Sequence, residues 1–195
     1  YLLTRGQGIK SLSLVAKECR KIGYLIPVLD KDLDDDITFS GAVVFEPKTG
    51  FYQRPIFVKD YNSLYPSSII SKNVSHETIV KNSKFDNLPG YKYYDVQYPN
   101  NDGTITKCRY AQKEGVDERG GPKLGIIPMI LQRLLAERKS TKKLMEQEKD
   151  PFKKSILDGK QNALKVTANS IYGQLGAKVG PLFLLELASC TTAIG

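Results

Sequence analysis

Asp60 stands where KDYNSLYPSSII changes character: a β-rich run ends in a carboxylate and Ser-Leu-Tyr-Pro-Ser-Ser comes at once after it. A carboxylate held at the C-terminal edge of a strand is well placed to ligate a metal, and magnesium takes hard oxygen donors together with substrate phosphates. A turn at Ser63-Leu64 exposes backbone N–H groups that can cradle an anion, and Tyr65 offers a flat ring for a sugar. A buried β-turn capped by Asp60, with Tyr65 and Pro66 as packing, accounts for the same residues. Arg138 and Lys142 lie four apart and share a helix face. An arginine fork beside a mobile ammonium suits a polyphosphate. Lys139 and Lys143 form a parallel pair, and a solvated face with salt bridges to Glu137 and Glu146 is the plain alternative. Lys165, Asn169 and Tyr172 fall on one side of a second helix, with Gln161 one turn back. Gly173 allows close approach of another backbone or a base pair; a polar face near a helix end explains these residues too. Together the three patches offer a metal ligand, a triphosphate grip and surfaces for sugar and base, the division of labour that phosphoryl transfer needs. Two metals about 3.5–4 Å apart call for more than one carboxylate, so the set lacks a second.

The elements that must position these residues are partly legible. GAVVF and RPIFVKD read as strands joined by the turn EPKTG, with Asp60 ending the second. Pro66 restricts the backbone around it, and SSIIS is expected to begin a helix beyond it. IIPMILQRLLAERKSTKKLMEQEK predicts a long helix with Pro128 in its first turn and an apolar stripe through Ile127, Ile130, Leu131, Leu134 and Leu135. A second helix starts near Pro151 and runs through QNALKVTANSIYG, with a local break expected at Gly159, which makes a helical hairpin. Residues 6–23 predict an amphipathic helix closed by Gly23. LIPVLD reads as a short strand or extended entry and the acidic KDLDDDITF as a loop. YKYYDVQYPNNDGTITKCRY predicts a hairpin turning at NNDG. RGGPKLG is a loop whose Arg119 and Lys123 could touch a backbone phosphate, exposed cationic loop residues being the plain alternative, and LFLLELASCTTAIG is a further helix. No internal repeat or low-complexity tract is present.

Composition narrows the partners. The 195 residues are 41% hydrophobic and 26% charged, with a net charge of +8, which favours an anionic partner such as a nucleic acid or nucleotide. No run of 18 apolar residues exists, so no membrane helix is expected. Cys19, Cys108 and Cys190 with a single histidine make no zinc pattern, and their wide spacing fits free thiols in a reducing compartment. YLLTRGQGIK has no signal-peptide order, and the chain reads as cut from a longer one.

DYNSLYPSSII resembles the first palm motif of family B DNA polymerases, Asp-x-x-Ser-Leu-Tyr-Pro-Ser, and KVTANSIYG resembles their second, Lys-x-x-x-Asn-Ser-x-Tyr-Gly. GIIPMILQRLLAERKSTKK is similar to the first fingers helix between them, and RGQGIK and ELASCTTAIG are similar to flanking palm segments. SLYPSSIIS followed by SHET looks closest to the replicative delta-like type, including polymerases of large DNA viruses. The resemblance implies an α+β fold: part of a palm, with an antiparallel sheet and helices, plus an antiparallel two-helix fingers hairpin. Residues 1–125 would be palm with the first motif, 126–173 the fingers hairpin ending in the second, and 174–195 a return into the palm. It implies Mg-dependent nucleotidyl transfer from a dNTP to a primer 3′-hydroxyl with pyrophosphate release. Asp60 would bind two magnesium ions and Tyr61 would lend its carbonyl to one. The Ser63 and Leu64 amides would hold the triphosphate, and Tyr65 would stack beneath the deoxyribose and exclude a 2′-hydroxyl. Arg138, Lys142 and Lys165 would grip the β- and γ-phosphates; the comparison favours that helix pair over Lys139 and Lys143. Asn169 would support the nucleotide, and Tyr172 with Gly173 would line the nascent base pair. Asp60 and Lys165 are thereby the implied catalytic residues.

The same resemblance implies primer-template DNA and dNTP as partners, with a sliding clamp or accessory replication subunits beside them, and an intracellular place in the nucleus or a viral replication site. The family's third motif, Tyr-Gly-Asp-Thr-Asp, which carries the second metal-binding aspartate, is not in the sequence. The expectation is therefore an enzyme as a whole polymerase and an inactive isolated segment. A non-catalytic DNA-binding or scaffolding module derived from a polymerase explains the charge but not the intact Asp60, Tyr65, Lys165 and Asn169. A coiled-coil protein is excluded by the short stripe, which Pro151 breaks.

Overall fold

A computed structural model describes residues 4–26, 41, 44–100, 102–118 and 120–195. The expected loop KDLDDDITF, most of LIPVLD, and Arg119 lie outside the described residues.

Helix α1 (Gln7–Ile22) buries Ser11, Val15, Glu18 and Cys19 on one stripe and turns its lysines outward. Gly23 ends it in the left-handed region, φ 73°, where its N–H bonds the Cys19 carbonyl. The charged member of that stripe is paired: Glu18 accepts from Arg133 at 2.8 Å and from Lys21 at 3.1 Å. The Arg133 guanidinium holds the Glu18 carboxyl below the ordinary carboxylate range, against the opposing effect of burial.

Helices α3 (Ile126–Gln147) and α4 (Pro151–Leu175) form the expected antiparallel hairpin. Glu148 closes the connection by accepting from the amides of Lys149 and Asp150 at 2.9 and 3.0 Å. Asp150 then caps α4 through the Phe152 amide at 2.8 Å, with Pro151 in a first-turn position where its missing N–H costs nothing. Ile127, Ile130, Leu131, Ala168, Ile171 and Leu175 seal the seam. The expected break at Gly159 does not occur; α4 runs through it. A lone glycine costs a helix only about 1 kcal/mol, which a packed 25-residue helix absorbs.

Strands β1 (Tyr91–Pro99) and β2 (Ile105–Lys113) pair antiparallel, Tyr94 opposite Tyr110 and Val96 opposite Cys108. The turn sits where NNDG predicted it, with Gly103 at φ 81°. Helix α5 (Leu185–Ile194) packs against β1, and Tyr110, Cys108 and Cys190 are buried in that layer. The fold is α+β, with its described sheet two-stranded.

The strands expected at GAVVF and RPIFVKD are not formed among the described residues. Gly41, Val44, Phe45 and all of 54–60 carry no ladder, and Phe57 and Val58 are about nine-tenths exposed. Their composition suits a strand, but a strand exists only where a neighbour takes up its N–H and C=O groups, and no described segment does so here. Helix α2 (Leu64–Ser71) begins two residues before Pro66 rather than after it. Pro66 lies in the first turn, where a proline has no intrahelical hydrogen bond to lose.

Candidate nucleotide-binding site

The chain enters the site through Asp60 and Tyr61, both exposed and carried on an irregular segment rather than on the expected strand edge. Ser63 makes the bend. It sits at φ 55°, ψ 55°, a left-handed conformation that costs a residue with a Cβ about 1–2 kcal/mol. The turn after it offsets part of this cost: the Ser67 amide bonds the Ser63 carbonyl at 2.9 Å, and the Ser67 hydroxyl donates to the Asn62 carbonyl at 3.2 Å. The amides of Leu64 and Tyr65 are then first-turn amides of α2, the donors a helix leaves free of intrahelical partners.

Tyr65 meets the second motif directly. Its ring stacks on Tyr172 with centroids 4.3 Å apart and planes at 23°. Burial, and then the neighbouring Tyr65, push the Tyr172 hydroxyl pKa up, so it stays neutral and able to donate. Gly195 closes in from behind, and a Cβ there would come within 3.3 Å of Leu64 and 3.4 Å of Tyr65. No atom would meet a Cβ at Gly173 within 4 Å, so the face beside Tyr172 is open.

On α4, Lys165, Asn169 and Gly173 are exposed along the side that ends at Tyr172. Gln161 departs from the expected stripe. It is buried, and its Oε1 accepts from Arg138 Nε at 3.2 Å, which ties the two helices and orients the guanidinium. Glu137 pairs with Lys160 at 3.0 Å across the hairpin instead of neutralising Arg138 or Lys142. Lys142 is exposed. The structure thus joins Tyr65 to Tyr172 and Arg138 to Gln161. Among the described residues no ion pair links Asp60 to Arg138, Lys142 or Lys165.

The donors at Asp60 and Tyr61 are a carboxylate and a carbonyl, the hard oxygens that magnesium takes, and both residues are accessible. The set fits in kind and is short in number: no group of three His, Cys, Asp or Glu side chains able to hold a metal occurs among the described residues. A cavity of about 280 Å³ at the base of α3, lined by Cys19, Tyr24, His76, Glu77, Ile127 and Leu182 among others, includes none of the site residues named from the sequence. The residues sequence reasoning missed are Asn73, Ser75 and Glu77, whose side chains accept from the first amides of α3. No local signal marks them for this role, since the helix they serve begins some fifty residues later in the chain.

The whole chain, residues 1–195, matches the family model for DNA polymerase family B. The chain belongs to that family. It is 39% identical over 250 residues to the DNA polymerase of Pyramimonas orientalis virus and 41% over 227 to that of Phaeocystis pouchetii virus. It is 36% identical over 195 residues to the DNA polymerase delta catalytic subunit of Caenorhabditis elegans. All of this chain is covered in each case, but only 20%, 21% and 16% of those relatives. The structure of the family B polymerase from the archaeon Pyrobaculum calidifontis aligns with 97% of this chain and 22% of that one, at a TM-score of 0.64 and 24% identity, a likeness of fold. Viral and delta-type polymerases both stand among these relatives, in line with the motif SLYPSSIIS and its neighbour SHET.

Proposed function

We propose that this family B chain supplies part of the nucleotide-binding centre of a DNA-directed DNA polymerase. Residues 1–125 and 174–195 serve as palm and 126–173 as fingers. The observation that carries this reading is the Tyr65–Tyr172 stack, which puts the first and second motifs on one wall. Asp60 and Tyr61 would hold magnesium with a second carboxylate that lies outside these residues. When bound, the metal neutralises triphosphate charge and aligns the reacting oxygens. The chain's own part is positioning. The Ser63 and Leu64 amides at the start of α2 receive phosphate oxygens, while Arg138 and Lys142 from α3 and Lys165 from α4 neutralise the β- and γ-phosphates. Tyr65 forms the floor beneath the sugar, Asn169 supports the nucleotide, and Tyr172 with Gly173 lines the base pair. The substrates are then a dNTP and primer-template DNA. A clamp or accessory subunits belong to the whole polymerase, at the nucleus or a viral replication site. No described helix is long and apolar enough to cross a membrane.

Primer extension tests the proposal. Asp60→Asn in the full-length polymerase should abolish extension while primer-template binding persists, and the isolated 195-residue chain should not extend a primer. Normal extension by Asp60→Asn would overturn the assignment of Asp60, and primer-template binding without any extension by the unsubstituted full-length protein would favour a DNA-binding module.

A further inference from the structure

Helix α3 begins with a deficit. Its N-cap is Gly125, which has no side chain to receive the first-turn amides. The missing acceptors come from the segment just after α2. Asn73 Oδ1 accepts from the Gly125 amide at 2.7 Å, Glu77 Oε1 from Ile126, and Ser75 Oγ from Ile127 at 3.3 Å. The next residue is Pro128, which has no amide. The free donors of the first turn are therefore all satisfied, and all from one remote segment.

That segment is itself locked. Asn73 is buried at φ 54° and its Nδ2 donates to the Ala111 carbonyl on β2 at 2.9 Å. The Val74 amide bonds the Ile69 carbonyl of α2 at 3.0 Å. The Ser75 hydroxyl, fully buried, donates to Glu77 Oε2 at 2.7 Å while accepting from Ile127. Gly125 fits because it is glycine: a Cβ there would stand 2.8 Å from Glu77 Oε1 and from Thr78 Cγ2. So α2, which carries Leu64 and Tyr65 behind its Ser63 cap, is coupled by hydrogen bonds to the root of the helix that carries Arg138 and Lys142.

We infer that Asn73, Ser75 and Glu77 are positioning residues for nucleotide binding: they set the angle at which α3 leaves the palm and so the place of Arg138 and Lys142 relative to Tyr65. This rests on the nucleotide-site reading above. The lever is long. Arg138 lies about 18 Å along the helix from Ile126 at about 1.5 Å per residue, so a tilt of about 5° at the cap moves it by about 1.5 Å. A misplacement of about 1 Å can cost about a hundredfold in rate.

Single-turnover incorporation by the full-length polymerase, titrated with dNTP, tests the inference. Glu77→Ala should raise the dNTP concentration for half-maximal rate roughly tenfold with primer-template affinity unchanged, and Glu77→Gln, which keeps an acceptor, should recover most of it. The Glu77→Ala penalty should shrink when Arg138 is already alanine, because the cap acts through that side chain. An unaltered dNTP midpoint in Glu77→Ala, with activity lost only as folded protein is lost, would overturn the inference. If Glu77→Ala does not fold, Ser75→Ala removes one bond of the cap and is judged by the same two outcomes. Arg138→Ala alone separates the levels. If it leaves the dNTP midpoint unchanged, the site reading fails; if it shifts the midpoint and the cap variants do not, the inference fails alone.

Discussion

Tyr65 holds two positions at once, packed on Tyr172 on one face and set at the start of α2 by the strained Ser63. In the proposed site its ring is the steric floor under the sugar. Replacing it by alanine in the full-length polymerase should therefore lower the preference for deoxyribose, read as the ratio of kcat/KM for dNTP over rNTP; an unchanged ratio would contradict the role. His76 makes a different residue-scale prediction, since it is the chain's one histidine. Its Nε2 lies 3.0 Å from the Leu182 carbonyl. Burial pulls its pKa below the ordinary value, against that hydrogen bond and the charge of Glu77; Lys81 adds to the lowering and Glu186 opposes it. A histidine whose folded pKa is depressed binds fewer protons folded than unfolded. Its contribution to stability is therefore full above the unfolded value near 6.5 and falls as pH drops through it toward the folded pKa. The melting temperature should fall from pH 7 to pH 5 by more in the parent than in His76→Gln. Equal slopes would show that folding leaves the His76 pKa where it stands in the unfolded chain.

The elements differ in how far the sequence disclosed them. Helices α1, α3, α4 and α5 and the β1–β2 hairpin were legible because periodicity and turn residues are local signals. Gly159 was misread as a break because its cost was weighed without the Asp150 cap and the packed second half of the same helix. No atom would meet a Cβ at Gly159 within 4 Å. Gly159→Ala should therefore stabilise the hairpin by about 0.5–1 kcal/mol, measurable by denaturant melting. The strand at RPIFVKD failed for the opposite reason, since β-propensity says nothing about whether a partner strand is present. Of the site, the residue types at Asp60, Tyr65, Arg138, Lys165, Asn169 and Tyr172 were readable from spacing and resemblance. The burial of Gln161 under Arg138 and the remote cap at Gly125 were not, because both are contacts between segments far apart in the chain.

At the scale of the whole molecule, α1 is tied to the helical hairpin by the ion pair of buried Glu18 with part-exposed Arg133, and the β-hairpin and α5 share a second packed layer. Residues 44–58 join neither layer: Val44, Phe45, Phe51, Ile56, Phe57 and Val58 are all largely exposed. Bare apolar surface of this kind governs colloidal behaviour as much as shape does. The 195-residue chain handled alone should bind a hydrophobic dye in its native state. Its light scattering should climb with concentration, and the pair Phe57→Lys and Val58→Glu should suppress both effects without lowering the melting temperature. Solubility, more than fold, would then decide how this chain can be studied, and salts that strengthen apolar association should precipitate it despite its charge of +8.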